Sequence, residues 1–233
     1  MKAVLLAAGR GSRLGGLTAV LPKALVPVRG DPLIHYMLRL CETVGFEETI
    51  VVGGFEPYKL EAYLSRREKP CRFVINREFR LGNLLTLCAA RPYLEGDFLI
   101  ANIDHIYPPA LFQKFLKAAG PVVCAADFDR RLGSDDMKIR IDGKGRIKAI
   151  GKRLPVFDGG YIGMTQVRRE VGILYVRAID ATLSRKGTGA VVEDVLDTLI
   201  QWGELPTLSD LSGFGWWEID TPEELRKAER GLA

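Results

Sequence analysis

The chain has 233 residues, of which 47% are hydrophobic and 27% are charged. This balance is typical of a globular protein with a sizeable core, and no run approaches the roughly 18 apolar residues of a membrane span. The net charge of +4 comes from 33 basic and 29 acidic residues mixed along the sequence. A nucleic-acid-binding protein would concentrate its basic residues on one face, so this mixing favours a small anionic ligand over a nucleic-acid partner.

The N-terminus and the cysteines bear on the cellular compartment. Met1 and Lys2 lead directly into the strand-like segment AVLLAA, which is shorter than the apolar region of a secretion signal. The cysteines form no CxxC pair and lie mostly in apolar segments, at Cys41, Cys71, Cys88 and Cys124. This pattern predicts reduced core thiols, with neither disulfides nor a cysteine metal site. We therefore expect a cytoplasmic protein.

Apolar strand-like runs alternate with segments of helical period in the first half of the chain. The strand-like runs are AVLLA, TIVVG, CRFVI, DFLIA and PVVCAA, and the helical segments cover 32–44, 57–66, 84–90 and 109–118. This rhythm predicts an α/β, Rossmann-like fold with a mostly parallel mixed sheet flanked by helices. For the first helix we expect Asp31 as the N-cap, Pro32 at the first position and Gly45 as the stop.

The pattern changes after about residue 127. Residues 137–152 show two alternating stretches around Asp142–Gly145, which predict a β-hairpin. Further elements are a strand over 172–176, a helix over 191–202, and a strand and helix within WWEIDTPEELRKAER. No linker separates these pieces, so we predict one domain over 1–233, with a core over 1–127 and a small β extension sharing its sheet.

A glycine-rich loop follows the first strand, at Gly9–Gly16. Open α/β sheets place ligands beyond the carboxyl ends of their strands. Glycines let backbone N–H groups approach phosphate oxygens, and Arg13 can bind two oxygens at once. The dinucleotide fingerprint needs glycine or alanine at Leu14, and the P-loop needs serine or threonine after Lys23, so neither motif fits.

The segment LAAGRGSRL, followed by PKAL at 22–25, resembles the signature of nucleotidyltransferases that join nucleoside triphosphates to phosphorylated sugars, polyols or alcohols. The usual form has PKPL, and it has threonine at the position of Ser12. The resemblance implies a GT-A-like fold, in which 1–127 binds the nucleotide and 128–233 holds the acceptor-binding part and the closing helices. It implies nucleotide contacts from Leu6, Ala7, Ala8, Gly9, Gly11, Ser12, Arg13 and Lys23, with catalytic roles for Arg13 and Lys23.

Joining a phosphate ester to a nucleotide brings two anionic groups together. Charge neutralisation and alignment therefore carry most of the catalysis, and no general base is needed. A hard divalent cation, Mg²⁺, is the expected cofactor. Asp104 follows a predicted strand, and alternation puts Glu218 and Asp220 on one side of a late strand. From the local pattern alone, Asp220 could equally belong to a capping box of Thr221 and Glu224.

Two later segments also match the family. One metal aspartate of these enzymes ends a central strand, which implies that Asp104 is a catalytic metal ligand and a nucleotide contact. A second acidic residue lies in a late motif matched by WWEIDTPE, so Glu218 and Asp220 are both metal candidates. The segment NREFRLGNLLTL resembles the part that approaches the base, which implies nucleotide contacts from Gly82 and Asn83.

The segment IDHIY resembles the Asp-His pair of inositol-phosphate and choline-phosphate cytidylyltransferases, and IKAIGKRL resembles the strand whose lysine meets the acceptor phosphate. The compact length and the order KIRI, GRIKAIGK, FD give the overall likeness to CTP:L-myo-inositol-1-phosphate cytidylyltransferases. The resemblance implies acceptor contacts from His105, Lys152, Asp158 and Glu170. By chemistry alone, Lys152 fits an exposed hairpin lysine and His105 a strand-end residue equally well. A cationic choline acceptor would need an aromatic cage, for which Tyr161, Trp216 and Trp217 are the candidates, although packing explains those aromatics too.

The leading hypothesis is Mg²⁺-dependent transfer of CMP from CTP to a phosphorylated polyol such as inositol 1-phosphate, with release of pyrophosphate. The partners are then a nucleoside triphosphate and a phosphorylated small molecule, and a homodimer is compatible with the resemblance. Alternatives are a hexose-1-phosphate nucleotidyltransferase, a guanylyltransferase of cofactor synthesis, a phosphocholine cytidylyltransferase, or a non-catalytic nucleotide-sugar sensor on the same fold.

Overall fold

The computed structural model describes residues 1–232, in which strands and helices alternate. The strands in chain order are β1 (Lys2–Ala7), β2 (Pro27–Val28), β3 (Asp31–Pro32), β4 (Glu48–Gly53), β5 (Arg72–Ile75), β6 (Phe98–Asn102), β7 (His105–Ile106), β8 (Val122–Asp127), β9 (Lys138–Ile141), β10 (Ile147–Gly151), β11 (Gly159–Val167), β12 (Thr207–Asp210) and β13 (Trp217–Glu218). The α-helices are α1 (Leu33–Val44), α2 (Pro57–Leu64), α3 (Leu84–Ala89), α4 (Pro109–Leu116), α5 (Arg169–Lys186), α6 (Glu193–Gln201) and α7 (Pro222–Gly231). Within the described residues, no helix is both long and apolar enough to cross a lipid bilayer.

A nine-stranded sheet forms the centre of the molecule. Seven strands follow the order β10, β9, β11, β6, β1, β4 and β5, and β8 joins β11 and carries β12. β1 pairs in parallel with β4 and β6, whereas β11 runs antiparallel to β6, β8 and β9. Strands from 1–127 and from 128–232 thus belong to one sheet. The predicted mostly parallel mixed sheet flanked by helices is confirmed.

Alternation along β1 divides the apolar core into two layers. Leu5 belongs to the layer that contains Met37 of α1 and residues of α4 and α7, and Leu6 belongs to the layer that contains Leu84 of α3 and residues of α5 and α6. Successive strand residues point to opposite faces, so each face of the sheet is covered by helices. Leu6 also pairs with Asn102, so the segments after β1 and β6 leave the sheet at the same edge.

The predicted strand over 172–176 is wrong, because these residues lie inside α5. The buried residues of α5 recur at a three-to-four spacing, at Gly172, Tyr175, Ala178, Ile179 and Thr182. That spacing is typical of a helix packed on a sheet, and the packing outweighs the β propensity of the sequence ILYV. The strand comes earlier, as β11, whose nine residues are all buried. Its glycine-rich sequence lacks the alternation that marks a half-buried strand.

Local signals at other element ends agree with the structure in most places. The hairpin of β9 and β10 turns at Asp142–Gly145, where the Asp142 Oδ1 atom accepts hydrogen bonds from the backbone N–H of Lys144 and Arg146 at 2.8 and 2.9 Å. Gly45 ends α1 with φ of 75°, as expected of a left-handed stop. The Asp31 cap is wrong: α1 begins at Leu33, and Asp31 lies in β3 with no capping hydrogen bond.

Candidate active site

Two adjoining cavities open at the carboxyl ends of β1, β6 and β8. The loop-side cavity is lined by Leu6, Ala8, Gly9, Gly11, Ser12, Arg13, Lys23, Asn83, Thr86, Asn102, Ile103, Asp104 and Asp220. The extension-side cavity is lined by Arg13, Asn83, Asn102, Asp104, His105, Asp127, Arg130, Leu132, Asp135, Asp136, Met137, Lys152, Gly160, Tyr161, Ile162, Gly163, Val191, Glu193, Trp216, Glu218 and Asp220. Residues common to both cavities include Arg13, Asp104 and Asp220, so these side chains stand at the junction.

The loop after β1 is shaped around Lys23. Gly11 has φ of 73°, and its carbonyl oxygen accepts hydrogen bonds from Leu14 N–H at 2.9 Å and from Thr18 Oγ1 at 2.7 Å. A Cβ atom at Gly11 would lie 3.0 Å from Lys23 Cβ and Cγ. Glycine is therefore required at this position both by the backbone conformation and by the contact with the lysine stem.

Lys23 is a buried cation held between two carboxylates. Only 6% of the residue is exposed, and its Nζ atom donates to Asp104 Oδ2 at 2.7 Å and contacts Asp220 Oδ1. Burial alone would lower the pKa of Lys23, but the charges of Asp104 and Asp220 outweigh burial and raise it. Lys23 therefore stays charged in the wall of the loop-side cavity, next to the two carboxylates at the junction.

Asp104 is fixed from its other side by His105. The Asp104 Oδ1 atom lies 2.7 Å from His105 Nδ1, and the imidazole stacks against the rings of both Tyr107 and Trp216, at centroid distances of 5.6 and 5.2 Å. Burial would raise the pKa of Asp104, but Lys23 and His105 hold it below its usual range. The carboxylate is thus ionised and orientationally constrained.

The late acidic pair lies beside this group. β13 pairs antiparallel with β7, and the register sets Glu218 opposite His105. Glu218 accepts a long hydrogen bond of 3.4 Å from Arg130, and burial raises the pKa of its carboxyl. Asp220 instead contacts Lys23 and Arg13. Thr221 and Glu224 form the predicted capping box at the start of α7, which fixes the backbone next to Asp220.

A loop from the β extension completes the junction. The Arg13 guanidinium contacts both Asp220 and Asp135, and Lys152 Nζ lies 3.3 Å from Asp135 Oδ1. Lys138 ties the loop to β10, because its Nζ atom donates to the carbonyl oxygens of Gly133 and Lys152 at 2.6 and 3.0 Å. Basic residues from both halves of the chain therefore face one space.

Asp127, at the end of β8, organises the far wall of the extension-side cavity. Its Oδ1 atom accepts from the backbone N–H of Asp129 and Arg130 at 3.0 and 3.3 Å. Its Oδ2 atom accepts from Trp216 Nε1 at 2.7 Å, and the Arg130 Cζ atom lies 4.3 Å from the centre of the Trp216 ring. The aromatic ring is thus contacted by both a guanidinium and the His105 imidazole.

Most of the segments that build this site, up to residue 186, match a known protein family. The family described as the MobA-like NTP transferase domain matches residues 3–186. This range includes β1, β6 and β8, whose ends form the cavities. The chain belongs to the MobA-like NTP transferase domain family. The predicted nucleotidyltransferase membership is therefore confirmed.

The chain is similar in sequence to several named proteins, which are longer than it is. It is 29% identical to a bifunctional IPC transferase and DIPP synthase of Aquifex aeolicus and 30% identical to the protein of that name from Rubrobacter xylanophilus, over 99% and 97% of this chain. It spans about half the length of each, at 51%. A CMP-5'-(3-aminopropyl)phosphonate synthase of Streptomyces rubellomurinus is 28% identical over 98% of this chain and 38% of its own length.

Solved structures share the fold at low sequence identity. The inositol-1-phosphate CTP transferase from T. maritima superposes with a TM-score of 0.80 at 22% identity, covering 100% of this chain and 97% of that one. The CTP:phosphocholine cytidylyltransferase from Streptococcus pneumoniae gives a TM-score of 0.81 at 21% identity, covering 100% and 99%. The whole described architecture is therefore that of the nucleotidyltransferase fold.

Most of the sequence-predicted site residues of this nucleotidyltransferase-family chain lie around the two cavities. From the nucleotide set, Leu6, Ala8, Gly9, Gly11, Ser12, Arg13, Lys23, Asn83 and Asp104 line the loop-side cavity. From the acceptor and metal sets, His105, Lys152, Asp104, Glu218 and Asp220 line the extension-side cavity. The fold therefore brings together residues from both ends of the chain. Their individual roles are proposals developed below.

Two predicted nucleotide contacts lie outside the cavities. Ala7 is buried in the layer shared with α1, because alternation along β1 turns it away from the face that carries Leu6. Gly82 packs against the chain at 188–190: its N–H donates to Thr188 O at 2.8 Å, and a Cβ there would lie 2.0 Å from Ala190 O. Gly82 is thus required for backbone packing.

Two residues predicted to contact the acceptor, Asp158 and Glu170, line neither cavity. Asp158 is exposed, and its Oδ2 atom accepts a hydrogen bond of 2.8 Å from the backbone N–H of Ile141 in the hairpin. Glu170 is exposed in the first turn of α5, next to Arg169, whose N–H donates to Asp97 Oδ1. Asp97 precedes β6, whereas Asp104 follows it, so Glu170 lies at the opposite edge of the sheet.

Sequence reasoning missed several cavity residues. Asn102 and Asp127 end β6 and β8, so the strand-end rule could have found them. Arg130 and Asp135 lie in an irregular loop whose sequence carries no signal of its position. Glu193 lies in the first turn of the helix predicted over 191–202, but nothing in the local pattern shows that its side chain faces a cavity.

The acidic residues suit a hard cation only together with ligand oxygens. Within residues 1–232, no group of three or more His, Cys, Asp or Glu converges closely enough to hold a metal by itself. Oxygen atoms of Asp104 and Asp220 do converge on one point, which Lys23 Nζ occupies. Mg²⁺ is commonly bound by one or two carboxylates plus substrate phosphates, and this donor set fits that pattern.

Proposed function

We propose that the chain transfers CMP from CTP to a phosphorylated polyol such as inositol 1-phosphate and releases pyrophosphate. The observation that carries this proposal is the position of Lys23 and Arg13 where the two cavities adjoin: Lys23 lines the loop-side cavity, Arg13 lines both, and the two cations are paired there with Asp104 and Asp220. One cavity is formed by the glycine-rich loop and the other by the extension. Two anionic substrates approaching from the two sides would meet at these cations.

The reaction has a simple balance of bonds. A phosphate oxygen of the acceptor attacks the α-phosphorus of CTP, a new P–O bond forms, and the bond from the α-phosphorus to the oxygen bridging to the β-phosphorus breaks. The electron pair leaves with pyrophosphate. Because the attacking phosphate oxygen is already ionised near neutral pH, no general base is needed, and catalysis consists of alignment and charge stabilisation.

The chain's own residues supply those two effects. Backbone N–H groups around Gly9 and Gly11, with the Arg13 fork, would hold the triphosphate. The Lys23 ammonium would neutralise charge on the oxygens around the α-phosphorus. Lys152 would hold the acceptor phosphate from the extension side, where its only described ion pair is the exposed one with Asp135. Release of these cations from their present carboxylate partners would accompany substrate binding.

Mg²⁺ is the proposed cofactor. Asp104 with Asp220 or Glu218 would hold it, and when bound it supplies further neutralisation of the phosphate charge. The Asp104 and Asp220 carboxylates lie close together around Lys23 Nζ, and this proximity supports the assignment if the ammonium moves to the phosphates when substrate binds. His105 would keep the Asp104 carboxylate in one orientation, and Glu218 lies within the same cavity through the β7 and β13 pairing.

The choice of CTP and a polyol phosphate is supported by the relatives. The two bifunctional relatives carry IPC transferase in their names, and the Streptomyces relative is named for a CMP-linked product. Hexose-1-phosphate nucleotidyltransfer and phosphocholine cytidylyltransfer use the same chemistry on other acceptors. A non-catalytic sensor has less support, because Arg13, Lys23 and Asp104 are assembled in one place.

A pyrophosphate-release screen tests the proposal. The four ribonucleoside triphosphates are each combined with inositol 1-phosphate, phosphocholine, 3-aminopropylphosphonate, glycerol phosphate and hexose 1-phosphates, with and without Mg²⁺. We expect release with CTP and a polyol phosphate only when Mg²⁺ is present. Turnover with another triphosphate and none with CTP would contradict the cytidylyl assignment, and no turnover with any pair would favour the sensor.

A further inference from the structure

Glu193 is a buried carboxyl group that the chemistry described above leaves unused. Only 8% of the residue is exposed, and it lines the extension-side cavity at the start of α6. The start of α6 is tied to α3 because Val192 N–H donates to Asn83 Oδ1 at 2.9 Å. The position of Glu193 is therefore set by two packed helices rather than by a free loop.

The carboxyl of Glu193 has little compensation within the protein. The charges that act on it include those of Asp194, Lys152 and Asp104, and its own backbone N–H donates to it. Burial raises its pKa to about 7. A buried polar group without partners carries a desolvation penalty, so such groups are normally satisfied by protein, water or ligand.

The walls of the cavity indicate which ligand group would satisfy it. The ring of Trp216 is already contacted by Arg130 at 4.3 Å and stacked on His105. The Tyr161 hydroxyl lies 3.0 Å from Thr165 Oγ1, and Trp217 lines a separate cavity behind the site. These three aromatic side chains are thus engaged with different partners and do not together form a cage for a quaternary ammonium. A hydroxyl group of the acceptor is a donor that can satisfy the carboxyl of Glu193.

We propose that Glu193 determines acceptor specificity by accepting a hydrogen bond from a hydroxyl group of the phosphorylated acceptor. This inference rests on the proposed function, since it concerns the second substrate of that reaction. Lys152 and Glu193 line the same cavity, so one small molecule can place its phosphate at the lysine and a hydroxyl at the glutamate. The residue would thereby favour polyol phosphates over aminoalkyl acceptors.

Steady-state kinetics of pyrophosphate release test the inference on the full chain. The variants are Glu193→Ala, Glu193→Gln and the matched control Glu170→Gln, which changes an exposed glutamate in the first turn of another helix. The acceptors are inositol 1-phosphate and its analogues that each lack one hydroxyl. We expect Glu193→Ala to raise the KM for inositol 1-phosphate about 10-fold or more, with the KM for CTP within about twofold of the wild type.

The analogues separate recognition from a structural effect. In the wild type, removal of one particular hydroxyl from the acceptor is expected to raise KM about 10-fold. In the Glu193→Ala variant, KM for that analogue and KM for inositol 1-phosphate are expected to be equal. Glu193→Gln keeps the side-chain volume but replaces the carboxyl with a weaker, neutral acceptor, so it is expected to raise the KM for inositol 1-phosphate less than Glu193→Ala does. It provides the test if the alanine variant unfolds at a lower temperature than the wild type. The control variant is expected to match the wild type.

Three results of these assays would contradict the role of Glu193. Unchanged KM and unchanged discrimination in both Glu193 variants would overturn the inference while leaving the proposed function intact. A wild type that uses phosphocholine or 3-aminopropylphosphonate better than any polyol phosphate would also overturn it. A wild type that releases no pyrophosphate with any acceptor would instead overturn the proposed function, and the inference would fall with it.

Discussion

Lys23 illustrates how one residue can serve both stability and chemistry. A buried ammonium is costly unless it is paired, and breaking such a pair leaves uncompensated charge. Here the cation is held by two carboxylates, Asp104 and Asp220, that come from different parts of the chain. The same three groups would handle the charge of a transferred nucleotidyl group, so the resting ion pairs keep the residues aligned for substrates.

Substitution of Lys23 by alanine is expected to lower kcat/KM for pyrophosphate release by about 100- to 1,000-fold, the loss typical of removing one electrostatic stabiliser. Steady-state assays with CTP and inositol 1-phosphate measure it, and a thermal melt of each variant separates lost chemistry from lost folding. Lys148→Ala, on the exposed side of β10, is the matched control. Activity in Lys23→Ala close to that of the wild type would contradict the assigned role.

Replacement of Asp104 by asparagine tests the metal assignment. The change keeps the shape but removes the charge, so we expect the Mg²⁺ concentration for half-maximal activity to rise about 10-fold or more. Asp158→Asn is the control, because Asp158 is exposed and bound to the hairpin backbone. A titration of activity against Mg²⁺ measures both. An unchanged Mg²⁺ dependence in Asp104→Asn would argue against Asp104 as a ligand.

Among individual residues, the sequence indicated which ones line the cavities where a motif and a strand end coincide. The residues of the glycine-rich loop and Asp104 lie where strands end, and an end of a strand is visible in the apolar pattern. Asp158 and Glu170 were expected at the acceptor from the resemblance, and the structure places both outside the two cavities. For Glu170 the expectation was tied to a strand that is in fact the helix α5. Arg130 lies in the site through the loop that Asp127 organises, a long-range relation that no local pattern encodes.

At the level of elements, the contact between α3 and the start of α6 positions one wall of both cavities. Gly82 touches Ala190 O, Leu84 N–H donates to Ala190 O at 3.2 Å, and Asn83 holds Val192 N–H. These contacts bring Asn83 to the junction. Glycine at position 82 therefore matters for the packing of elements, and its sequence context alone suggested a ligand contact.

We expect Gly82→Ala to destabilise the fold by about 1–3 kcal/mol, because the added methyl group overlaps a backbone carbonyl that cannot move freely. Gly143→Ala is the control, since a Cβ atom at this position in the hairpin turn would meet no atom within 4 Å. Urea unfolding of both variants gives the free energies of unfolding. Equal stability of Gly82→Ala and the wild type would show that the contact is not close in solution.

Most helices and strands could be predicted from the sequence. The exceptions are β11, where burial on both faces removes the alternation of apolar and polar residues, and α5. β1, β4 and β6 are apolar runs of strand length between helical segments, so their type and order follow from the sequence. β11 is buried throughout and rich in glycine, so it lacks the alternation of a half-exposed strand. α5 contains the β-prone residues ILYV, and its helical state depends on packing against β11 and α6.

For the whole molecule, the two cavities lie between parts of the chain that share one sheet. Substrate binding would therefore be coupled to global stability. A ligand that binds only the folded state at about 100 times its Kd raises the free energy of unfolding by about 2.7 kcal/mol. We expect CTP with Mg²⁺ to raise the melting temperature, and inositol 1-phosphate to add a smaller increase. Equal shifts from all four ribonucleoside triphosphates would contradict base selectivity.

The class of fold could be predicted from the sequence, whereas the positions of the site residues could be predicted only in part. The order of strand-like and helix-like segments defines the class of fold, whereas the extension folds back so that Lys152 and Glu193 reach the edge formed by β1 and β6. The position of the extension against this edge depends on contacts such as the hydrogen bonds from Lys138 to the carbonyl oxygens of Gly133 and Lys152. Pairings of this kind are made only in the folded chain.

The central claim is tested most directly by following the α-phosphate of CTP into product. Wild-type protein is incubated with α-labelled CTP, inositol 1-phosphate and Mg²⁺, and labelled product and pyrophosphate are both quantified, with Lys23→Ala in parallel. The account predicts a CMP-linked polyol phosphate in a one-to-one ratio with pyrophosphate, and a loss of both in the variant. Free CMP without the linked product, or equal yield from Lys23→Ala, would contradict it.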